Sequence, residues 1–480
     1  MPSHYSRLWP AHAPTSSFSL PISIATTPPA STAARSASRP TSTAWPAAGP
    51  TCTIPLLANR SAARRACLQT GTHATTNGSY RNGIGLTCDL PHLADQFRAA
   101  GYHTGYFGKW HLSHDEAPGP VPADQRGGYE HWLAANILEH TSDDYHTRLW
   151  DADDQPVDLP GYRVDALTDA LIRHIDDRSR NHADQPFFLF TSYLEPHHQN
   201  HVDAYPAPVG YRERYSGRWC PPDLAALPTH QPAMNQPSTT VGGSAAGHLG
   251  GYFGMVKRLD EALGRLVDAL HSLGILQDTV ILFTSDHACH FKTRNAEYKR
   301  SGHESSIRVP TMLHGGPFTG GGRVNQLVSL VDLPATLLDA AGIDPPASFE
   351  GRSLLPLLGR DPRAIADWPD DMYVQTSETH WGRAIRTRRW KYILREPRDK
   401  TQHDGFSDIY REAELYDLRH DPHELVNLID LSSHAEVRSV MRHRLARRLG
   451  QFHEPDARIV EPGELHPGGQ WVVTPEEARQ

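Results

Sequence analysis

Several residues of this chain have the side chains that phosphoryl or sulfuryl chemistry requires, and they occur in four separate segments. These segments are residues 61–71, 101–112, 195–197 and 284–310. Lys109 and Lys299 are compact cations that can neutralise the oxygens of an anionic group, and Arg65 can hold a nucleophile. His111 and His197 can donate hydrogen bonds or relay protons near neutral pH. Together these side chains could stabilise the charge that develops as such a bond breaks.

A divalent cation is a further component of this chemistry, and Asp286 beside His287 is the candidate site for it. A carboxylate with an adjacent nitrogen or oxygen ligand suits a hard divalent cation. Taken singly, an Asp-His pair is more typical of an ordinary turn or cap, and a lone lysine is more typical of a solvated surface. The interpretation therefore depends on the four segments occurring together in one chain.

The residues beside these candidates divide into two groups. His198, Gln199 and Asn200 follow His197 directly and are candidates for substrate contact. Four others lie between the elements of the last segment; they could contact substrate but are predicted to be surface residues. They are His290, Lys292, Arg294 and Glu297.

The candidate residues follow hydrophobic runs that predict the strands of a buried sheet. Residues 186–194 and 279–287 read as buried strands ending in polar residues, and 101–110 as a strand entering a loop. Residues 90–100 and 251–276 carry apolar side chains at helical spacing. Reactive side chains at the carboxyl ends of strands are typical of open parallel α/β sheets. The predicted fold class is therefore α/β, with a central parallel or mixed sheet flanked by helices.

A smaller C-terminal unit is predicted from a change of pattern after Trp381. Residues 384–395 and 413–422 alternate like antiparallel strands, and residues 435–449 predict a terminal helix. We therefore predict an α/β domain over residues 65–375 and a small α+β subdomain over residues 376–480. Residues 1–64 form a third, anomalous segment.

The composition is that of an ordinary globular chain, with 38% hydrophobic and 21% charged residues and a net charge of -8. It gives no reason to expect binding to nucleic acid or to an anionic membrane. No run approaches the ~18 apolar residues of a membrane-spanning helix. The five irregularly spaced cysteines predict free thiols, with Cys67 and Cys289 interpreted as packing residues. No secretory signal is visible at the start, so the predicted compartment is the cytoplasm.

In this order, the four segments resemble the type I sulfatases of the alkaline phosphatase superfamily. The motif GYxTxxxGKWHL at residues 101–112 is highly specific, and the motifs SDH and ESxRVP follow it at residues 285–287 and 304–310. The resemblance covers most of residues 61–430. It implies an alkaline phosphatase-like sheet and hydrolysis of a sulfate ester on a sugar or another small organic molecule.

The resemblance also implies a nucleophile and a partner. Ser61 stands at the first position of the motif C/S-x-P/A-x-R, which the family converts to formylglycine. The aldehyde hydrate of formylglycine supplies the oxygen that attacks sulfur at a bound metal. The implied partner is therefore a formylglycine-generating maturation enzyme.

The same resemblance implies roles for the remaining candidate residues. Arg65, Lys109 and His111 would position the nucleophile. His197 and Lys299 would bind the sulfate and assist the leaving group, while His198 and Asn200 would contact the substrate. Asp286 and His287 would hold the metal, which by resemblance is calcium.

Residues 1–64 do not fit the family pattern. The chain has no Asp or Glu before Asp89, so the carboxylate that the family places on a first apolar strand is missing. In a shifted frame, the codons of residues 39–46 are compatible with TPNLDRLA and those of residues 18–27 with LLFADQHRHD. The same frame permits the order Val-Cys-Gly-Pro-Ala around Ser61. We hypothesise that this segment is out of frame; the alternative is a disordered low-complexity tail.

Three functions are consistent with these observations. Sulfate ester hydrolysis is favoured, and phosphonate monoester or phosphodiester hydrolysis on the same fold is an alternative because both oxyanions share shape and charge. The third possibility is an inactive frameshifted product. Without a central strand and a metal-binding carboxylate, we expect the 480-residue chain to fold poorly and to have little activity.

Overall fold

The structure is a computed structural model, and it describes most of the chain. The described residues are 19–26, 52–57, 61–199, 202, 204–229, 246–318, 321–359, 362–377, 381–397, 405–452, 454, 457–463 and 473–480. For residues 19–26, 52–57 and 61–63 the description covers the backbone alone.

The strands of the described residues are numbered β1 to β16. In chain order they are Ser19–Thr26, Cys52–Leu57, His103–Lys109, His131–Ala135, His146–Trp150, Pro156–Pro160, Phe187–Pro196, Thr279–Phe283, Arg308–His314, Gly322–Arg323, Val328–Ser329, Met372–Thr376, Gly382–Arg386, Trp390–Arg395, Ile409–Asp417 and Arg458–Val460.

The α-helices of the same residues are numbered α1 to α14. In chain order they are Ser61–Thr70, Ala74–Asn77, Leu93–Ala99, Leu138–Thr141, Arg163–Asn181, Tyr211–Tyr215, Pro222–Ala226, Ala246–Ser272, Glu304–Ile307, Asp332–Ala340, Leu355–Leu358, Pro362–Ala366, Ala435–Gln451 and Pro475–Ala478.

A large mixed sheet organises the first of two units. Within the described residues it has eleven strands in the order β10-β2-β9-β8-β1-β7-β3-β4-β5-β6, with β11 paired to β2. β3 is parallel to β4 and β7. β7 and β8 both run antiparallel to β1 and therefore point in one direction. The carboxyl ends of β3, β7 and β8 consequently meet at one edge, and the predicted α/β fold class is confirmed.

β1 lies between β7 and β8, although the chain was expected to lack a central strand. Its backbone pairs with both neighbours, with Ser19 opposite Pro196 and Thr26 opposite Thr279. The expectation of a sheet without a central strand is therefore wrong. The strand nevertheless runs against both neighbours, and its sequence SLPISIAT has no carboxylate. The division into residues 1–64, 65–375 and 376–480 stays a prediction.

Apolar helix faces cover both sides of this sheet, because side chains alternate along its strands. Phe188 and Phe190 of β7 belong to a core that includes residues of α1, α3 and α10. Leu189, between them, belongs to the opposite core with residues of α5 and α8. In α8, the predicted apolar face is confirmed, since Leu259 and Leu266 are buried there.

The C-terminal unit contains the second sheet, with the order β12-β13-β14-β15-β16. Its first three pairings are antiparallel, as the alternating pattern predicts, and β16 is parallel to β15. Met441 and Leu445 of α13 pack into the core formed with Trp390 and Tyr392 of β14. The predicted terminal helix is confirmed.

Three histidine rings form a cluster at the amino ends of β3 and β4. His103 Nε2 lies 3.2 Å from His174 Nε2, and the ring centroids of His131 and His174 are 4.1 Å apart. Burial lowers the pKa of His131 to about 4, with a further contribution from His103. Burial and the neighbouring His131 lower the pKa of His174 to about 3. Both rings are therefore neutral in the folded chain at pH 6.

This cluster is expected to make the fold sensitive to acid. Because the unfolded chain binds more protons below the ordinary histidine pKa of about 6.5, the free energy of unfolding should fall as the pH drops from there toward 4. Replacing His174 by Gln should remove roughly 2 kcal/mol of that fall, measured by urea unfolding across this range. The exposed His443→Gln variant is the control. The prediction would be contradicted if the free energy of unfolding of His174→Gln fell as steeply with decreasing pH as that of the unchanged chain.

Candidate active site

Three strands bring the reactive segments of the sequence to one edge of the large sheet. β3 ends at Lys109, β7 ends at Pro196 just before His197, and β8 leads into the loop with Asp286. β8 itself ends at Phe283, so the predicted strand over residues 279–287 is shorter than expected. The reactive side chains are therefore held by a rigid sheet but placed on the loops that leave it.

Lys109 forms a buried ion pair with Glu139, which lies in α4. Its Nζ is 2.6 Å from Glu139 Oε1, and both side chains are buried. Burial lowers the pKa of Lys109, and the Glu139 carboxylate offsets this only in part. Burial alone would raise the pKa of Glu139, but the charges of Lys109, His197 and His111 hold it well below its usual range. The Glu139 carboxylate is therefore held in its charged form beside Lys109.

Arg65 of α1 connects the elements around this pair. Its Nη1 donates to the backbone oxygen of Lys109 at 2.9 Å and to Ser192 Oγ at 2.6 Å. Its Nε lies 3.3 Å from Asp286 Oδ2. A guanidinium in contact with residues of β3, β7 and the loop after β8 is fixed in position. It supplies a second buried cation beside Lys109.

His197 lies at the centre of a hydrogen-bonded group. Its Nδ1 is 2.6 Å from the backbone oxygen of His198, and a carbonyl only accepts, so Nδ1 carries the proton. Its Nε2 accepts from Tyr298 Oη at 2.8 Å and lies 3.3 Å from Lys299 Nζ. Burial, followed by the charges of Lys299 and Lys109, holds the pKa of His197 well below its usual range. The ring is therefore neutral and turns an acceptor toward Lys299.

Burial also brings the pKa of Lys299 to about 7, with further lowering by Arg300 and Lys109. Inorganic sulfate should therefore bind best below about pH 7. As the pH rises, Lys299 must take up a proton when the anion binds, and the affinity should fall by up to about tenfold per pH unit.

Calorimetric titration from about pH 6 to pH 9 would measure this dependence. Lys299→Met should bind sulfate more weakly and without this pH dependence, while Lys257→Met on the surface of α8 should behave like the unchanged chain. A constant affinity across the range in the unchanged chain would contradict the role of Lys299.

Asp286 and His287 are adjacent and buried, and both present acceptor atoms. His287 Nδ1 is 3.0 Å from the backbone oxygen of Ala288, so its Nε2 carries a lone pair. That Nε2 is 3.9 Å from Asp286 Oδ1, and these two atoms have no hydrogen-bond partner among the described residues. Two acceptor atoms that face each other in this way suit a cation.

The family's metal, calcium, takes about six to eight oxygen ligands. The described residues contain no group of three His, Cys, Asp or Glu that could hold a metal. The described side chains by themselves therefore do not fit calcium.

The structure places the other predicted site residues as follows. His111 is buried with a φ of 58°, and burial together with Lys109 holds its pKa well below the usual range. His198 is buried beside the rings of Tyr205 and Tyr298. Ser61 begins α1, but its side chain lies outside the described part of the chain, as does the whole of Asn200. The arrangement thus brings together Arg65, Lys109, His111, His197, Lys299, Asp286 and His287.

Two predictions about neighbouring residues are corrected or extended. His290 and Glu297 were predicted to lie at the surface, but both are buried in the loop between β8 and α9, where His290 N donates to the backbone oxygen of Tyr298. Cys67 and Cys289 are buried free thiols, as predicted. Burial raises the pKa of Cys67 to about 12, so this thiol is a poor nucleophile.

Several residues that position the site were not predicted from the sequence. Glu139, which pairs with Lys109, lies in a segment without a recognisable motif. Tyr298 directly precedes Lys299, and that adjacency was the available signal. Arg163 of α5 donates through Nε to Glu195 Oε1 at 2.8 Å, and both side chains are buried. This ion pair holds the turn that presents His197.

The sequence pattern of a known family extends over most of the large unit. The family model described as Sulfatase matches residues 57–343, which is more than half of the chain. The chain belongs to the sulfatase family. A second family model, described as N-sulphoglucosamine sulphohydrolase, C-terminal, matches residues 297–451 of this sulfatase. The predicted resemblance is confirmed, and the sulfatase is a sulfuric ester hydrolase by family.

Two bacterial proteins are similar to the sulfatase over most of its length. An uncharacterized sulfatase of Escherichia coli K12, YidJ, is 28% identical over 82% of this chain and 78% of its own. The N-acetylglucosamine-6-O-sulfatase of Bacteroides thetaiotaomicron is 24% identical with the same coverage of both chains. The second family model, at residues 297–451, extends the family match into the C-terminal unit.

Solved structures show the same fold. The YidJ protein of Bacteroides fragilis matches with a TM-score of 0.69 and 19% identity, over 85% of this chain and 89% of that one. The phosphonate monoester hydrolase of Agrobacterium radiobacter matches with a TM-score of 0.61 and 24% identity, over 84% and 89%. Among the described residues of the sulfatase, no helix is long and apolar enough to cross a membrane.

Proposed function

We propose that this sulfatase hydrolyses the sulfate ester of a sugar or of a similar small hydroxylated molecule. The observation that carries the proposal is the buried group of three cations, Arg65, Lys109 and Lys299, around His197 at one edge of the sheet. Such a group matches the charge of a sulfate, and its burial strengthens each interaction. The similarity to an N-acetylglucosamine-6-O-sulfatase supports a carbohydrate substrate.

In the proposed mechanism, Lys109 and Lys299 neutralise the non-bridging oxygens of the sulfate. Arg65 orients the nucleophile, which position 61 supplies. If a maturation enzyme converted Ser61 to formylglycine, position 61 would supply the oxygen of an aldehyde hydrate as the nucleophile. His111 is close enough to the charges of Lys109 and Arg65 to orient the same oxygen.

Departure of the alcohol requires a proton at the bridging oxygen. Lys299, with a pKa of about 7, can donate it near neutral pH. His197 is fixed with Nε2 as an acceptor from Tyr298 and 3.3 Å from Lys299 Nζ, so it positions the Lys299 ammonium for this transfer.

Hydrolysis of 4-nitrophenyl sulfate and of a monosaccharide sulfate, compared with phenyl phosphonate monoester hydrolysis, tests this proposal. Hydrolysis of the sulfates, lost in Lys299→Met and retained in Lys257→Met, would support it. Faster turnover of the phosphonate would favour the alternative activity, which the shared fold with a phosphonate monoester hydrolase keeps open. Mass spectrometry of the peptide containing Ser61 would detect formylglycine.

A further inference from the structure

One carboxylate oxygen of Glu139 accepts no hydrogen bond from the other described residues of the site. Oε1 accepts from Lys109 Nζ at 2.6 Å, whereas Oε2 is buried and has no hydrogen-bond partner among the described residues. The lowered pKa of Glu139 keeps the group ionised, so both oxygens act only as acceptors. A buried, charged acceptor without a donor is costly, and such groups in folded proteins usually have a partner.

The position of this oxygen is held by the loop that carries His197. Gln199 Nε2 donates to the backbone oxygen of Glu139 at 2.9 Å and to that of Ser142 at 3.2 Å. Arg163 Nη1 donates to Ser142 Oγ at 3.0 Å. The carboxylate is therefore fixed relative to the proposed sulfate-binding residues, as a group that recognises a substrate must be.

The charge of Glu139 determines which part of a substrate it can contact. Sulfate oxygens carry negative charge and are repelled by Oε2, although they are attracted by Lys109 and Lys299. A hydroxyl or amide N–H on the alcohol part of the ester is instead attracted. Because Oε1 of the same carboxylate lies 2.6 Å from Lys109 Nζ, a donor to Oε2 on an ester whose sulfate is bound by Lys109 must stand close to the sulfated oxygen.

We propose that Glu139 Oε2 accepts a hydrogen bond from a hydroxyl or N–H on the carbon next to the sulfated position. Glu139 is then a specificity-determining residue, and the substrate class is a sulfate ester with a vicinal donor, as in sugars and other polyols. This inference rests on the proposed function.

A matched pair of small ligands tests the inference without requiring turnover. Binding of trans-2-hydroxycyclohexyl sulfate, cyclohexyl sulfate and inorganic sulfate is measured by calorimetry on the full chain. The unchanged chain should prefer the hydroxylated ester by about tenfold or more, the effect of one hydrogen bond to a charged group. Glu139→Gln, which keeps the shape and removes the charge, should reduce this preference below about threefold. It should bind inorganic sulfate at least as tightly as the unchanged chain.

Two controls separate recognition from a structural role. Glu412→Gln makes the same change in a buried carboxylate of β15, close to Arg438 and Arg442, and should keep the full preference. Glu139→Asp keeps the charge but withdraws the oxygen, so it should lose the preference and retain sulfate binding. If Glu139→Gln fails to fold, Glu139→Asp tests the inference in its place.

The binding results distinguish failure of the inference about Glu139 from failure of the proposed function. Equal affinity of the unchanged chain for the two esters, with sulfate still bound, would overturn the role of Glu139 and leave the proposed function intact. A parallel loss of all three ligands in folded Glu139→Gln would show that Glu139 is only a counterion for Lys109. Absence of binding of every ligand to the unchanged chain would overturn both proposals.

Discussion

Replacing Lys109 by Met is expected to lower the free energy of unfolding by about 3–5 kcal/mol, because it leaves the buried Glu139 carboxylate unpaired. The same change removes a cation from the proposed sulfate site, so kcat/KM for a sulfate ester should fall at least about a hundredfold. Urea unfolding and steady-state kinetics on the same preparation measure the two effects.

The double variant Lys109→Met, Glu139→Gln separates these effects. Because no charge remains unpaired, most of the lost stability should return, whereas hydrolysis should stay low. Lys257→Met breaks an ion pair with Asp260 that is one-third exposed, and it should cost less than about 1 kcal/mol. If the double variant were no more stable than Lys109→Met, the ion pair would not be the source of the loss.

A chain carrying the alternative frame over residues 1–64 is expected to bind calcium tightly and to exceed the 480-residue chain in sulfate ester hydrolysis by at least about a hundredfold. In that frame, residues 18–27 become an apolar strand ending in Asp, and the region of Ser61 acquires a cysteine. An Asp at the end of this strand meets Asp286 only if the strand runs parallel to β8, opposite to the direction of β1. A second carboxylate would then join Asp286 and His287.

Sequencing the gene across this region is the first measurement, followed by calcium titration and mass spectrometry of both chains. The 480-residue chain, whose described side chains do not fit calcium, should show no tight site. Calcium-dependent hydrolysis of an aryl sulfate by that chain would refute the frame hypothesis. The same bases in close relatives, with no ancestral frame, would also refute it.

The fold was predictable where the pattern is local. The hydrophobic runs of β7 and β8 and the apolar stripe of α8 are written in consecutive residues, and all three elements were predicted. The order of the strands was not, because it depends on pairings between segments far apart in the chain. The direction of β1 is the clearest case, since it is defined by its antiparallel pairing with β7 and β8, which lie far away in the chain.

The candidate site likewise has features that local motifs predict and features that only long-range contacts decide. The sequence by itself determined which cations and imidazoles follow the strands, because motifs such as GKWH fix Lys109 and His111 relative to β3. Only the tertiary structure decided that Glu139 neutralises Lys109, that Tyr298 and Lys299 both face His197, and that Asp286 and His287 stand without further described ligands. The physical reason is that charge and desolvation act through space, between residues that no local pattern connects.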